Sequence, residues 1–244
     1  MSQPLDLLFL GSGNAFASGR YWSSFLLNGR YLFDASPAVL AHLKRSGTAP
    51  ADIEAVFISH FHADHFFGIP FLLLEYAELS HRDSDLTIVG PPGIRERVRM
   101  LTKLGFPYLL EREQSYRQLF VELSDGKQGQ VGALRYVGRS VAHVEEMECF
   151  GYRVEVGGRV LAYSGDTVFC ESLIEMAEGA DVFVVECSRW DEKSGPHLGP
   201  SDIRELRRRL GPEPAFVLTH LDNGTPDLDI ENVIVAEDFA RYSF

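Results

Sequence analysis

Four potential metal ligands lie within six residues of one another, directly after a predicted strand. An apolar, β-branched run at residues 56–58 predicts the strand, and His60, His62, Asp64 and His65 follow it. Imidazole nitrogens and carboxylate oxygens are the ligands that zinc and similar divalent cations prefer. The cluster therefore indicates a metal site, and the rest of the chain must supply the remaining ligands and a scaffold that brings them together.

The size and charge of the chain limit the classes of protein to which it can belong. Its 244 residues, of which 45% are hydrophobic, supply a sizeable core, and no low-complexity linker divides them. We expect one domain spanning residues 1–244. Lys and Arg number 23 against 35 Asp and Glu, which gives a net charge of −12. Because an acidic surface repels phosphate backbones, this charge disfavours RNA or DNA as a partner.

Cysteine usage and hydropathy indicate the compartment. The three cysteines, Cys149, Cys170 and Cys187, are odd in number and show no CxxC spacing, which is typical of a reducing environment rather than a disulfide framework. No apolar stretch approaches the roughly 18 residues of a membrane span, and the first residues lack the basic start of a signal peptide. We expect a cytoplasmic protein without membrane contact.

Strands and helices alternate along the whole chain. Apolar runs bounded by turn residues predict strands at residues 5–10, 24–27, 31–33, 55–58, 86–89, 119–123, 131–137, 150–156, 160–163, 182–185, 215–219 and 233–236. Helical periodicity predicts helices at residues 37–46, 67–79, 94–104, 171–177 and 201–210. The two halves contain the same mixture of elements, which favours one α/β domain built from two layered sheets.

The eight histidines divide into two groups by their position. His42 and His81 lie in predicted helical or polar surface stretches, and we interpret them as structural. The other six occur at strand ends or in the loops beyond them, where sites collect in layered α/β folds: His60, His62, His65, His143, His197 and His220. Asp166 has the same placement, after the predicted strand at 160–163.

The pattern HxHxDH from His60 to His65 resembles the signature of the metallo-β-lactamase superfamily. That family completes the motif with a downstream histidine, an aspartate after a strand and a C-terminal histidine, and His143, Asp166 and His220 match them in order. The resemblance implies an αββα sandwich, in which helices flank two mixed sheets. It also implies two divalent metal ions, with Zn²⁺ expected and Mn²⁺ or Fe as alternatives. The implied ligands are His60, His62 and His143 for one ion, Asp64, His65 and His220 for the other, and Asp166 as the bridge.

Further stretches are similar to the ribonuclease Z branch of this superfamily. They include FLGSGNAFASGRYWSSFLL, ISHFHADHFFGIPFLL, VGPPGIRERV and SGDTVFCESLIEMAEGADVFVVECS. The branch implies phosphodiester hydrolysis by a hydroxide bridged between two metals, assisted by a glutamate–histidine pair at Glu186 and His197. Asp64 is a second candidate proton acceptor near the attacking water. The branch also implies a homodimer, and the aromatic-rich stretch at 105–120 (Phe106, Tyr108, Tyr116, Phe120) offers an apolar contact.

Two departures from that branch affect the choice of substrate. Only 23 positions separate His143 from Asp166, which leaves no room for the long arm with which ribonuclease Z grips tRNA. The His-Ser-Thr motif of the branch is His197-Leu198-Gly199 here. We therefore expect a small or medium phosphodiester substrate, with tRNA 3′-end processing as an alternative that the acidic charge disfavours. Hydrolysis of a carboxylic ester, lactone or thioester at the same site is a further alternative.

Other motifs carry weaker signals. Gly11 and Gly13 resemble a dinucleotide-binding turn, but the third glycine and the matching acid are absent, so we expect no other cofactor site. A basic helix carries Arg204 and Arg208, and these side chains would reach a bound phosphate only if the helix lines the cleft near His197. The alternative interpretation is a solvated helix face.

Overall fold

Two seven-stranded sheets form the centre of the protein. The computed structural model describes residues 4–188, 195–223 and 228–244. The first sheet contains β1 (Asp6–Gly11), β2 (Ser24–Leu27), β3 (Tyr31–Phe33), β4 (Ala55–Phe57), β5 (Leu86–Gly90), β6 (Gln118–Glu122) and the last strand, β14 (Arg241–Ser243). The second contains β7 (Gln128–Val131), β8 (Leu134–Val141), β9 (Cys149–Val156), β10 (Arg159–Tyr163), β11 (Val182–Glu186), β12 (Ala215–Thr219) and β13 (Val233–Val235).

Each sheet has an antiparallel half and a parallel half. The first runs in the order β14-β1-β2-β3-β4-β5-β6, antiparallel up to β3 and parallel beyond it. The second runs β13-β12-β11-β10-β9-β8-β7, parallel up to β10 and antiparallel beyond it. Parallel strands end at the same edge of a sheet, which is where loops carrying functional side chains collect.

The central strands of the sheets bury both faces, and this explains why these strands are apolar throughout. Alternate residues of a strand point to opposite faces, so Leu7 and Phe9 of β1 pack between the sheets while Leu8 and Leu10 pack outward. Phenylalanines at neighbouring register positions stack across the inner face of β2, β3 and β4, with ring centroids 4.7 Å apart for Phe25 and Phe33. The result is one apolar layer shared by both sheets.

In the described part of the chain, six α-helices cover the outer faces: α1 (Val39–Arg45), α2 (Ala63–Phe66), α3 (Ile69–Glu78), α4 (Ile94–Gly105), α5 (Glu171–Ala177) and α6 (Pro200–Leu210). Apolar residues of α1, α3 and α4 pack on the outer face of the first sheet. Those of α5 and α6 pack on the second sheet, where Leu173 and Leu206 contact the cluster that includes Phe183 and Phe216. The predicted αββα sandwich is confirmed.

Three local predictions require correction. The predicted strand at 131–137 is confirmed from Leu134 onward as part of β8, but residues 132–133 form the turn of a hairpin with β7, where Gly132 adopts a positive φ of 54°. The predicted helix at 67–79 begins only at Ile69, with Gly68 as its N-cap residue in close contact with the backbone of residues 35–36. The strand β14 was not predicted, and it pairs with β1.

Two sequence-level expectations about covalent and membrane structure can be compared with the described residues. Cys149, Cys170 and Cys187 are all free thiols. In the part of the chain that the structure describes, no helix combines the length and the hydropathy required to cross a bilayer.

Candidate metal centre

The ends of several strands bring the predicted ligands together at one edge of the sandwich. His60 follows β4, His143 follows β8, Asp166 follows β10 and His220 follows β12. The strands β8, β10 and β12 run in the same direction, so their carboxyl ends meet at this edge. All seven predicted ligands lie in groups whose ligand atoms are within 4.8 Å of one another: His60, His62, His143 and Asp166, and Asp64, His65 and His220.

The first group surrounds one point with three imidazole nitrogens. Nδ1 of His62 lies 2.9 Å from Nε2 of His60 and 3.3 Å from Nε2 of His143. The carboxylate oxygen Oδ2 of Asp166 lies 3.8 Å from Nε2 of His60. This arrangement offers a cation three nitrogen ligands and one oxygen ligand, a donor set that suits zinc.

The second group shares the same aspartate. Nε2 of His65 lies 3.2 Å from Nε2 of His220, and Asp64 Oδ2 lies 3.4 Å from the former and 3.5 Å from the latter. Asp166 Oδ2 is 3.3 Å from the Nε2 atoms of both histidines. One oxygen atom therefore faces both groups, which is the position of a bridging ligand.

The burial and the hydrogen bonding of the ligand atoms fit the binding of two cations. Asp166 is buried, and its Oδ1 atom accepts no hydrogen bond from the described residues. Burying an unpartnered carboxylate oxygen is costly unless a cation compensates for it. Burial and the charge of His65 lower the pKa of His60 well below its ordinary value, so this ring is neutral and its nitrogen lone pair is available.

The carboxylates of the centre are ionised, which suits them as ligands. Burial alone would raise the pKa of Asp166, but the charges of His220 and His65 outweigh it and hold the pKa well below the usual range. Burial would also raise the pKa of Asp64, but the charge and hydrogen bonds of His65 and His220 outweigh burial and lower this pKa. Both side chains are thus acceptors at neutral pH.

A ring of hydrogen bonds fixes the orientation of four histidines. Nδ1 of His65 donates to Asp34 Oδ2 at 2.7 Å, and Nδ1 of His143 donates to the carbonyl of Pro196 at 2.7 Å. Ser59 Oγ lies 2.9 Å from Nδ1 of His60, and Ser188 Oγ lies 2.6 Å from Nδ1 of His220. Since each of these Nδ1 atoms is engaged outside the centre, each ring turns its Nε2 atom toward it.

Asp34 is a functional residue that sequence analysis missed. It is buried after β3, and its carboxylate accepts hydrogen bonds from Ser59 N at 2.7 Å, Ser59 Oγ at 2.8 Å and Tyr163 Oη at 2.7 Å, besides His65. Its φ of 55° is unusual for a residue other than glycine, although Asp and Asn tolerate it. An acidic residue directly after a strand was the available signal, but its partners come from distant segments.

We expect Asp34→Asn to reduce metal affinity and turnover by about 10- to 100-fold, because an amide nitrogen cannot accept the hydrogen bond from His65. Asparagine keeps the size and the tolerance of positive φ, so the protein should still fold. Zinc affinity measured by competition with a chelator tests this expectation. The matched control is Asp83→Asn, since 81% of the Asp83 side chain is exposed and it pairs with His81, which is not a predicted ligand. Equal zinc affinity in both variants would contradict a positioning role for Asp34.

Glu186 and His197 form the predicted pair next to the centre. Nδ1 of His197 donates to Glu186 Oε1 at 2.9 Å and lies 4.0 Å from Asp166 Oδ2. Glu186 is held in turn by the backbone N–H of Thr167 at 2.8 Å. Burial alone would lower the pKa of His197, but its hydrogen bond to Glu186 and the charge of that residue outweigh burial and raise the pKa. The geometry suits a proton donor.

A cavity of about 480 Å³ opens onto the centre. Its described walls consist of Asn14, Ala15, Phe16, His62, Ala63, Asp64, His143, Val144, Asp166, Ser188, Pro196, His197, His220 and Asp222. Arg204 and Arg208 are not among the described walls of this cavity and line a separate depression, so the condition under which they would reach a phosphate in the cleft is not met. Arg208 pairs with Glu205 on the same helix instead, as expected for a solvated helix face.

An αββα sandwich with seven converging histidine and aspartate ligands at its strand ends defines a metal-dependent hydrolase. The chain belongs to the β-lactamase superfamily, since residues 29–221 match the family described as the Beta-lactamase superfamily domain. The resemblance stated from the HxHxDH motif is thereby confirmed, as is the prediction of a hydrolase.

Named relatives agree with the ribonuclease Z branch. The chain is 29% identical to a ribonuclease Z of Methanosarcina mazei, with 96% of each protein covered, and 25% identical to a ribonuclease BN of Escherichia coli O1:K1, with 98% of this chain and 100% of the relative covered. The alignment with the Methanosarcina protein runs over 302 positions, more than the 244 residues of this chain. The relative therefore has residues with no counterpart here.

Solved structures share the fold. Human tRNase Z, short form, superposes with a TM-score of 0.78 at 24% identity and covers 97% of this chain and 98% of its own. A diphosphatase of the PhnP family also gives a TM-score of 0.78, at 20% identity, and covers 100% of this chain and 98% of its own. At these identities the likeness concerns the fold.

Proposed function

We propose that this protein is a phosphodiesterase that holds two divalent ions between His60, His62, His143, Asp64, His65, His220 and Asp166. The observation that carries the proposal is the Glu186–His197 hydrogen bond of 2.9 Å, which sets a proton donor beside the bridging aspartate. The departing alkoxide of a phosphodiester requires a proton, which such a donor supplies. The names of the ribonuclease Z relatives support the same reaction class.

The chemistry supplied by two bound divalent ions is activation of a water molecule and neutralisation of charge on the phosphoryl oxygens. The side chains of the protein orient the reacting groups. Asp64 lines the cavity, and its ionised carboxylate can accept a hydrogen bond from that water molecule and aim it at phosphorus. Because the pKa of Asp64 is low, we assign it as an orienting acceptor rather than a strong base.

His197 acts on the leaving side of the reaction. Its Nδ1 proton is engaged by Glu186, which fixes the ring plane and leaves Nε2 as the donor toward the cavity. Glu186 also stabilises the protonated imidazole, since it raises the pKa of His197. A protonated His197 gives its proton to the departing oxygen, and the histidine regains a proton from solvent at the partly exposed cavity mouth.

The substrate we propose is small rather than a whole tRNA. Between His143 and Asp166 the chain forms only the hairpin β9–β10, closed by Gly157 and Gly158, so this segment carries no protruding arm. The described cavity walls contain Asp222 but no lysine or arginine, and Glu145 is exposed nearby in sequence. These features disfavour a polynucleotide, whose repeated phosphates require basic contacts. Processing of tRNA 3′ ends is thus the weaker alternative.

Zinc is the metal we propose, because nitrogen ligands outnumber oxygen ligands in the centre. Mn²⁺ and Fe remain the alternatives. The homodimer, the single domain of residues 1–244 and the cytoplasmic location also stay predictions. For the dimer, the aromatic stretch at 105–120 contributes less surface than expected, since Tyr116 is buried and only Tyr108 is largely exposed.

A substrate panel tests the reaction class. We expect the zinc-loaded protein to hydrolyse a p-nitrophenyl phosphodiester well above the rate of buffer, and to act weakly on lactones, thioesters and carboxylic esters of similar size. The physical reason is that two divalent ions held by the predicted ligands would neutralise the negative charge on the phosphoryl oxygens, a charge that the acyl substrates do not carry. Turnover of the acyl substrates alone would overturn the phosphodiesterase proposal and leave acyl hydrolysis in its place. Cleavage of a tRNA precursor in preference to small diesters would overturn the small-substrate proposal.

A further inference from the structure

Phe16 is the most exposed large hydrophobic side chain among the described residues. Its exposed fraction is 87%, against 78% for Leu104 and 76% for Leu79. An aromatic ring left in water forgoes the free energy that burial would release. The ring of Phe16 is therefore available to be covered by another molecule.

The backbone that carries Phe16 is fixed even though its ring is free. Asn14 Oδ1 accepts a hydrogen bond from Phe16 N at 2.9 Å, and the carbonyl of Asn14 accepts one from Ala17 N at 3.3 Å, which closes a turn with Phe16 at its corner. The other end of the loop is held by Asn223, whose Oδ1 accepts from Ser18 N at 2.9 Å. A ring presented on a fixed backbone loses little freedom when a ligand binds.

The loop is also joined to the strand end that carries a metal ligand. Asn14 N donates to the carbonyl of Leu221 at 2.9 Å, and Leu221 N donates to the carbonyl of Ser12 at 2.8 Å. Because Leu221 directly follows His220, these hydrogen bonds hold the loop that presents Phe16 beside a predicted metal ligand. The ring accordingly lines the same cavity as His62, Asp64 and His220.

Part of the cavity wall is apolar. Ala15, Ala63, Val144 and Pro196 line the cavity together with Phe16. These side chains offer contact area to a flat, apolar surface and no hydrogen bonds to a sugar or phosphate. The charged group of a substrate belongs at the metal ligands, whereas a planar ring fits against Phe16.

The charge of the cavity limits the substrate further. Among the described wall residues there is no lysine or arginine, and Asp222 adds a negative charge. A second phosphate group would therefore meet repulsion rather than a partner. The walls suit an ester with a single phosphoryl group.

We propose that Phe16 is a specificity-determining residue, on which a planar aromatic group of a small phosphodiester stacks while the phosphoryl group lies at the metal ligands. This inference rests on the proposed phosphodiesterase function and narrows its substrate class. The stacked group is a nucleobase or a simple aryl ring, which share the same flat π surface. Stacking of a base on an aromatic side chain changes affinity by about five- to 150-fold per base.

Calorimetric binding of phosphate monoesters to the zinc-loaded protein tests the proposal without turnover. The probes are adenosine monophosphate, phenyl phosphate and ethyl phosphate, which share the phosphate and differ in the attached group. We expect Phe16→Ala to weaken the binding of adenosine monophosphate by at least about fivefold and to leave the binding of ethyl phosphate nearly unchanged. Phe16→Trp should retain or improve the binding of adenosine monophosphate. An equal effect on phenyl phosphate identifies any planar ring as the ligand, and an effect on adenosine monophosphate alone identifies a nucleobase.

The matched control is Phe71→Ala, since Phe71 is also exposed, at 43%, but lies outside the cavity walls. This variant should bind all three probes as the parent protein does. Equal weakening of all three probes by Phe16→Ala, or no weakening of any, would overturn the stacking role. If ring-dependent binding is found but no phosphodiester is hydrolysed, the proposed function fails while the stacking site stands. Much tighter binding of a short single-stranded RNA than of the mononucleotide would contradict the small-substrate assignment.

Discussion

His62→Ala is expected to abolish turnover, with a loss of more than about 100-fold, and to lower zinc content to about one ion per chain. Changes to residues that merely orient a metal ligand cost about 10- to 100-fold, so removing a direct ligand should cost more. His62 is the residue whose Nδ1 faces both His60 and His143, and its removal takes a nitrogen from the centre of that group. The ring is only partly buried, so we expect the fold to persist.

Metal content by mass spectrometry and turnover of a p-nitrophenyl phosphodiester measure this effect together. His81→Ala provides the control, because this histidine lies on the surface with 76% of its side chain exposed. The control should keep both zinc content and activity. Full zinc content and full activity in the His62→Ala protein would show that this histidine is not a ligand. This result would contradict the proposed metal site formed by His60, His62 and His143.

His197→Ala is expected to reduce kcat by about 10²- to 10⁴-fold on a dialkyl phosphodiester while the zinc content stays near that of the parent. On a p-nitrophenyl ester the loss should be much smaller. The difference arises because an alkoxide requires a proton to depart, whereas p-nitrophenolate is stable as an anion near neutral pH. A side chain that only shapes the cavity would lower both rates equally, so the comparison separates proton donation from packing.

Glu186→Gln should give the same dependence on the leaving group, with a smaller loss. Glutamine can still accept the hydrogen bond from Nδ1 of His197 but no longer carries the negative charge that raises the pKa of the ring. Rates for the two esters, measured in parent protein and both variants, form the test. Equal losses on the two esters, or a fall in zinc content on His197→Ala, would contradict the assignment of His197 as the proton donor.

The proximity of the candidate metal ligands could largely be predicted from the sequence because half of them are local. His60, His62, Asp64 and His65 follow one strand, so their proximity needs no knowledge of the fold. His143, Asp166 and His220 were reached through the resemblance and through their positions after predicted strands. The structure brings all seven into two adjoining groups.

The residues that orient these ligands were harder to predict because they are joined only by tertiary structure. Asp34 meets Tyr163, which lies 129 positions away, across the space between the two sheets. Asn223 reaches the loop that carries Phe16 from 205 positions away. A single sequence contains no signal for such pairs, since an aspartate or asparagine after a strand also serves as an ordinary turn residue.

Strand boundaries were predicted correctly where both faces are buried and less well at the sheet edges. Residues 182–185 form an uninterrupted apolar run, and β11 occupies almost the same span. The edge strand β7 alternates exposed and half-buried residues and contains two glutamines, so its hydropathy resembles that of a loop. The short β14 becomes a strand through its pairing with β1, which hydropathy does not reveal.

Zinc titration of the metal-free protein, followed by phosphodiester hydrolysis at each point, tests the central claim most directly. The account predicts that activity is absent without metal, rises as zinc is added and reaches its plateau at two equivalents per chain, because Asp166 joins two groups of ligands. Binding of well under one equivalent per chain, together with no phosphodiester hydrolysis after reconstitution, would contradict it.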